Sequence, residues 1–192
     1  MTKQPLYFIP MSEFDSHTVT TTLEKWHNTP LFQKSYAWNP SEIDVGVFQD
    51  GKNIWKNYLN EEDKEENKTH YFISESETNS GDLWGEIILN YNKSLLLKQE
   101  EQSDGVLVHC YLMEEDQAKA KKKFERLILS LENFLATDAT SLLVEFSFFE
   151  HNYNYCNWPK ELHYHEVGRI PKMTFKNGKM WGEVRLQKKL KK

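Results

Sequence analysis

The strongest constraint on this 192-residue chain lies between Val106 and Phe149. Phe124, Leu127, Ile128, Leu131, Phe134 and Leu135 recur at steps of three and four, so a helix over about Gln117–Ala136 would carry them as one apolar stripe. Two β-prone runs flank it, Val106–Met113 (VLVHCYLM) and Leu142–Phe149 (LLVEFSFF). Strand, helix and strand in that order predict a parallel pair joined by a right-handed crossover. The second run is apolar almost throughout, which suits a strand covered on both faces. This β-α-β unit commits the chain to the α/β class.

The flanking sequence adds antiparallel strands. His70–Ser74 (HYFIS), Leu83–Asn90 (LWGEIILN) and Ser94–Lys98 precede Val106–Met113 with short connections, which predicts a meander. Leu6–Pro10 (LYFIP) reads as an opening strand. A helix then runs from a cap at Asp15 or Ser16 to about Trp26, with Val19, Leu23 and Trp26 on one face. Its threonines, β-branched, disfavour helix. Between Pro30 and Tyr58 the pattern allows a short helix near Ser41–Val47 and a strand or turn around Gly51–Trp55. Asn60–Lys68, Glu75–Asp82 and Gln99–Asp104 read as solvated loops. Val167–Phe175 and Trp181–Leu190, joined through Asn177-Gly178, make a hairpin. With no repeat and no Pro/Gly/Ser-rich linker, residues 1–192 are expected to form a single domain.

Aromatic residues make up 14% of the chain, enough to require a packed core. The formal net charge of −5 gives no general electrostatic help toward DNA or RNA. No window approaches the length of apolar sequence that spans a bilayer. Met1–Phe8 lacks the features of a secretory signal, and the two cysteines, Cys110 and Cys156, build no disulfide framework. A cytoplasmic protein is the expectation. No Ser-His-Asp ordering, P-loop or dinucleotide glycine fingerprint is present.

Three passages carry a resemblance to the GNAT acyltransferase superfamily. Tyr71–Asn90 (YFISESETNSGDLWGEIILN) is similar to the family's second and third strands, with Gly85 at the glycine that precedes the third-strand apolar run. Phe148–Asn152 (FFEHN) resembles the end of its fifth strand. His163–Leu190 resembles its closing hairpin, particularly as found in phosphinothricin-type acetyltransferases. The resemblance implies a GNAT-like mixed, mostly antiparallel sheet with a central β-α-β unit, helices on both faces, and a short helix before the hairpin. It further implies an acyl group, such as acetyl, carried on coenzyme A to an amine of a small molecule or protein.

The sequence departs from the family at two motifs. The family's Arg/Gln-x-x-Gly-x-Gly/Ala loop wraps the coenzyme A pyrophosphate with backbone amides at a helix N-terminus. Here Gln117 and Ala120 stand in the first two motif positions, Lys121 and Lys122 follow, and no glycine lies between Gly105 and Gly168. The family's general-acid Tyr seven residues after the strand-end Asn falls, counting from Asn152, on Pro159; His163 stands where a Gly usually follows.

The candidate site residues each carry a bland reading beside the functional one. Lys119, Lys121, Lys122 and Lys123 crowd the wrong end of a helix for cations. They read either as an anion site or as a solvated turn neutralised by Glu114, Glu115 and Asp116. His109 could take a proton from the amine, or be a satisfied imidazole sharing a face with Leu107 and Tyr111. Glu145 and Glu86 are acidic alternatives within apolar strands. Tyr155, after Asn152, could protonate a departing thiolate, or join Tyr153 and Tyr164 in an aromatic cluster. His151, Cys156, His163 and His165 match no structural-zinc spacing, so no metal is expected. Two functions follow: an acyl-CoA-dependent N-acyltransferase, or a GNAT-like binding protein, of inhibitor or immunity type, that has lost coenzyme A. A protein partner or homodimer remains open.

Overall fold

A computed structural model of the chain describes residues 5–27, 29, 68–77, 82–91, 104–136, 141–176 and 178–191. Its core is a seven-stranded sheet in the order β1-β2-β3-β4-β5-β7-β6. The strands are β1 (Tyr7–Pro10), β2 (Lys68–Ser74), β3 (Leu83–Tyr91), β4 (Asp104–Leu112), β5 (Ser141–Phe149), β6 (His165–Lys176) and β7 (Lys179–Lys191). The helices are α1 (Ser16–His27), α2 (Gln117–Leu135) and α3 (Tyr153–Glu161), with a 3₁₀ turn at Met11–Glu13.

The β-α-β unit forms as the periodicity dictates. β4 and β5 are parallel, and every other neighbouring pair is antiparallel. Ala120, Phe124, Leu127, Ile128, Leu131 and Leu135 of α2 are buried in one cluster with Val106, Val108 and Cys110 of β4 and Val144, Phe146 and Phe148 of β5. Phe134 departs from the predicted stripe. It is 39% exposed at the helix margin, its ring 5.3 Å from Phe8 and 5.8 Å from Tyr71.

The opposite face receives α1. Tyr71 and Ile73 pack with the α2 cluster, whereas Phe72, pointing the other way by strand alternation, joins Met11, Val19, Leu23 and Trp26. Helices therefore cover both faces. Asp15 caps α1 by accepting from the Thr18 amide at 2.9 Å and the Thr18 hydroxyl at 2.5 Å, and the chain tolerates four threonines inside the helix because Val19, Leu23 and Trp26 are buried.

The sequence boundaries shift in places. Lys68 and Asp104, read as loop ends, begin β2 and β4. The readings at Ser41–Val47, Gly51–Trp55 and Ser94–Lys98 fall outside the described residues, as does Asn177 of the hairpin turn. Its neighbour Gly178 has φ +70°, the left-handed value the turn needs. Gly85 is fixed by space: a Cβ there would lie 1.9 Å from the Tyr111 carbonyl oxygen on β4. α3, which no periodicity announced, starts where the Cys156 amide donates to the Asn152 carbonyl at 3.1 Å.

Candidate active site

The site is created by a mismatch in strand pairing. β4 and β5 are in register from Asp104↔Leu142 to Val108↔Phe146, and the parallel ladder then ends. β4 nevertheless stays paired to β3 as far as Leu112, and β5 stays paired to β7 as far as Phe149. Each strand is held by its outer neighbour while the two part from one another. Beyond Val108 and Phe146 this leaves a V-shaped gap, where the two strands no longer pair with one another.

His109, Cys110, Ser147, Phe149, Asn152 and Tyr155 are among the residues lining that narrow cleft, whose interior volume of about 20 Å³ has room for about one water molecule. α3 begins at the end of β5, so its first turn lays Asn152 and Tyr155 across the opening. The Tyr155 ring is wedged between Phe124 at 5.4 Å, Phe148 at 5.8 Å and Trp158 at 5.0 Å. Burial there, with the Cys110 thiol nearby, raises the Tyr155 phenol well above its ordinary pKa, so it keeps its proton at neutral pH. Burial likewise pushes the Cys110 thiol far up, which removes it as a nucleophile. His109 is half-buried, opposite Ile88 of β3.

A row of polar groups lies next to His109 on the α1 face of the sheet. Glu145 is fully buried and accepts from Arg185 Nη1 at 2.7 Å and from the Gln187 amide. Glu183 forms an ion pair with Arg185, its carboxylate 2.6 Å from Nε, and accepts from the Ser147 hydroxyl. The Glu145 carboxylate is thus committed to a buried ion pair, and Ser147 ties that network to the cleft wall. Glu86, also fully buried, sits on β3 opposite Tyr111. His109 and Tyr155 share the cleft; Glu145 stands outside it.

The entrance to α2 is arranged differently from the cleft. Asp116 is its N-cap, accepting from the Ala118 amide at 2.9 Å and the Lys119 amide at 3.0 Å. Those bonds, the Lys119 one first, hold the carboxyl below its usual range, so it is charged at neutral pH. The Ala120 amide is already bonded within the helix, to the Asp116 carbonyl at 2.7 Å. Gln117 receives the side-chain amide of Asn154 from α3. Lys121 pairs with Glu161 at 2.7 Å and Lys123 with Glu114 at 2.9 Å, while Lys119 and Lys122 are exposed. Ala120 turns its methyl into the core, at 4% exposure.

The four residues weighed for zinc lie apart in role. His151 stacks on Phe149 and meets Trp181, Cys156 donates its thiol to the Phe149 carbonyl at 3.5 Å, and His163 and His165 are exposed on a separate groove.

Comparison with protein-family models and with curated proteins finds no match to this sequence. Solved structures do match in shape. Spermidine N-acetyltransferase from Vibrio cholerae in complex with CoA and spermine superposes with a TM-score of 0.64 at 12% identity, covering 98% of this chain and 97% of its own. Aminoglycoside N(6′)acetyltransferase from Legionella pneumophila gives 0.64 at 12%, covering 99% and 95%. Arabidopsis thaliana NAA60 in complex with acetyl-CoA gives 0.58 at 14%, covering 96% and 97%. This chain has the GNAT fold. The cleft between β4 and β5 gathers His109, Asn152 and Tyr155, and it, not the larger groove beside His163, is taken as the candidate site.

Sequence reading did not find Asp116 as a cap, Asn154 as the partner of Gln117, or Arg185. Two signals were available. Asp immediately before an apolar-periodic run is a capping signature. Arg185 alternates with buried Val184 and Leu186, which puts it on the Glu145 side of β7.

Proposed function

We propose that this GNAT-fold chain is an N-acyltransferase that takes an acyl thioester, acyl-CoA being the representative donor, and an amine acceptor. The observation that carries the proposal is the gap between β4 and β5 with His109 and Tyr155 together in it. A bound thioester would supply an activated acyl carbon. Its amide-bearing arm suits the β4 edge beyond Val108, where the ladder to β5 has ended, with Asn152 and Tyr155 beside it. Tyr155, a phenol that is protonated at neutral pH, is a proton donor for a leaving thiolate. The His109 imidazole is the group in the cleft able to take a proton from the amine. Glu145 acts at a distance, anchoring Arg185 and so the β5–β7 wall.

The phosphate end of coenzyme A is a poorer match. The carboxylates of Glu114, Glu115 and Asp116 stand at the α2 entrance, so no step is assigned to that end of the molecule. This observation favours a second reading, a binding protein on a GNAT scaffold without a thioester.

An assay of thiol release from acetyl-CoA over a panel of primary amines tests the first reading. Tyr155→Phe keeps the packing of the ring and removes the proton donor, so kcat is expected to fall about 100-fold with KM little changed. A variant as active as the parent would remove Tyr155 from the chemistry. Absence of turnover with every amine, in a protein that binds no thioester, would leave the second reading standing.

A further inference from the structure

We infer that this chain reads its donor by the thioester arm alone, because Asp116 fills the anion position at the start of α2 with the protein's own carboxylate. The inference rests on the acyltransferase reading and narrows its donor class to thioesters whose recognition does not need a nucleotide.

Helix N-termini attract phosphates through free amides and the positive end of the helix dipole. At α2 three amides of the first turn are taken and a carboxylate already sits at the positive end of the dipole. The Ala118 and Lys119 amides point at Asp116 Oδ1, at 2.9 and 3.0 Å, and the Ala120 amide is inside the helix. The first residue with a side chain able to reach a phosphate, Gln117, is bridged to Asn154 across the mouth. Two of the four lysines answer to carboxylates, Lys121 to Glu161 and Lys123 to Glu114. An arriving pyrophosphate would have to displace a charged cap and then lie beside Glu114 and Glu115. Nor can the loop rearrange around glycine, because none occurs from 106 to 167. The cleft between β4 and β5 is not capped in this way: the ladder ends at Val108↔Phe146, and no carboxylate is among the residues that line the cleft. Asp116 is therefore a specificity-determining residue: it withdraws the nucleotide half of the donor from recognition and leaves the pantetheine half.

Titration calorimetry on the full chain, with coenzyme A and with pantetheine, separates the possibilities. The expected result is two dissociation constants within about threefold of one another. Coenzyme A binding tenfold or more tightly than pantetheine would overturn the inference and leave the acyltransferase reading intact. Binding of neither would overturn both. Asp116→Gly provides the second arm, since glycine at an N-cap costs only a few tenths of a kcal/mol, about a factor of two in the folding equilibrium. It should tighten coenzyme A by about three- to tenfold and leave pantetheine unchanged. Equal affinities for parent and variant would show that Asp116 is not the obstacle.

Discussion

His70 and His163 carry the clearest consequences of single positions. His70 is 1% exposed inside β2, and burial, reinforced by the charges of Lys68 and His109, holds its pKa down to about 3. In the unfolded chain the same imidazole titrates near ~6.5. Between those values the unfolded state binds a proton that the folded state refuses, so stability falls as pH is lowered from about 6.5 toward 3. The slope from this one group is at most about 1.4 kcal/mol per pH unit. His70→Gln should flatten the decline in thermal midpoint between pH 7 and pH 5; an identical decline in the variant would assign it elsewhere. His163 is exposed at φ +69° after α3, a left-handed position costly for any residue but glycine. His163→Gly is expected to raise stability by about 1 kcal/mol, read as a higher urea midpoint at unchanged slope.

At the scale of elements, the strands and α2 were legible because burial writes itself into periodicity. Phe124, Leu127 and Leu131 announce α2, and the continuous LLVEFSFF run announces a central strand. α3 was not legible. Its nine residues include Pro159 and four polar or charged side chains, and it persists because Cys156, Trp158 and Pro159 are buried against the sheet. The site was legible only in part. His109 and Tyr155, named from chemistry, do meet in one cleft. Where β4 and β5 separate could not be read, because the split depends on pairing with β3 and β7 and not on any local signal. Glu145 and Lys121 were named for charge, and charge in a sequence does not reveal that Arg185 and Glu161 already answer it. The β3–β4 contact gives a sharp test at this scale. Gly85→Ala forces a methyl toward the Tyr111 carbonyl, and a loss of about 2 kcal/mol or more in urea unfolding is expected. A neutral substitution would mean that β3 and β4 can move apart, and with them one wall of the cleft.

The whole molecule joins a widely shared scaffold to a modified entrance. The TM-scores of 0.64 at 12% identity tie this chain to acetyltransferases through layers, strand order and crossover, and through shape alone. Among the described residues no helix is long and apolar enough to cross a membrane. The central claim is that the space between β4 and β5 receives an acyl thioester. Thermal unfolding with and without acetyl-CoA tests it most directly. At a ligand concentration about 100 times the dissociation constant the fold should gain about 2.7 kcal/mol, a rise of roughly 5 to 10 °C for a chain of this size. A melting curve that does not move at millimolar acetyl-CoA would contradict the account.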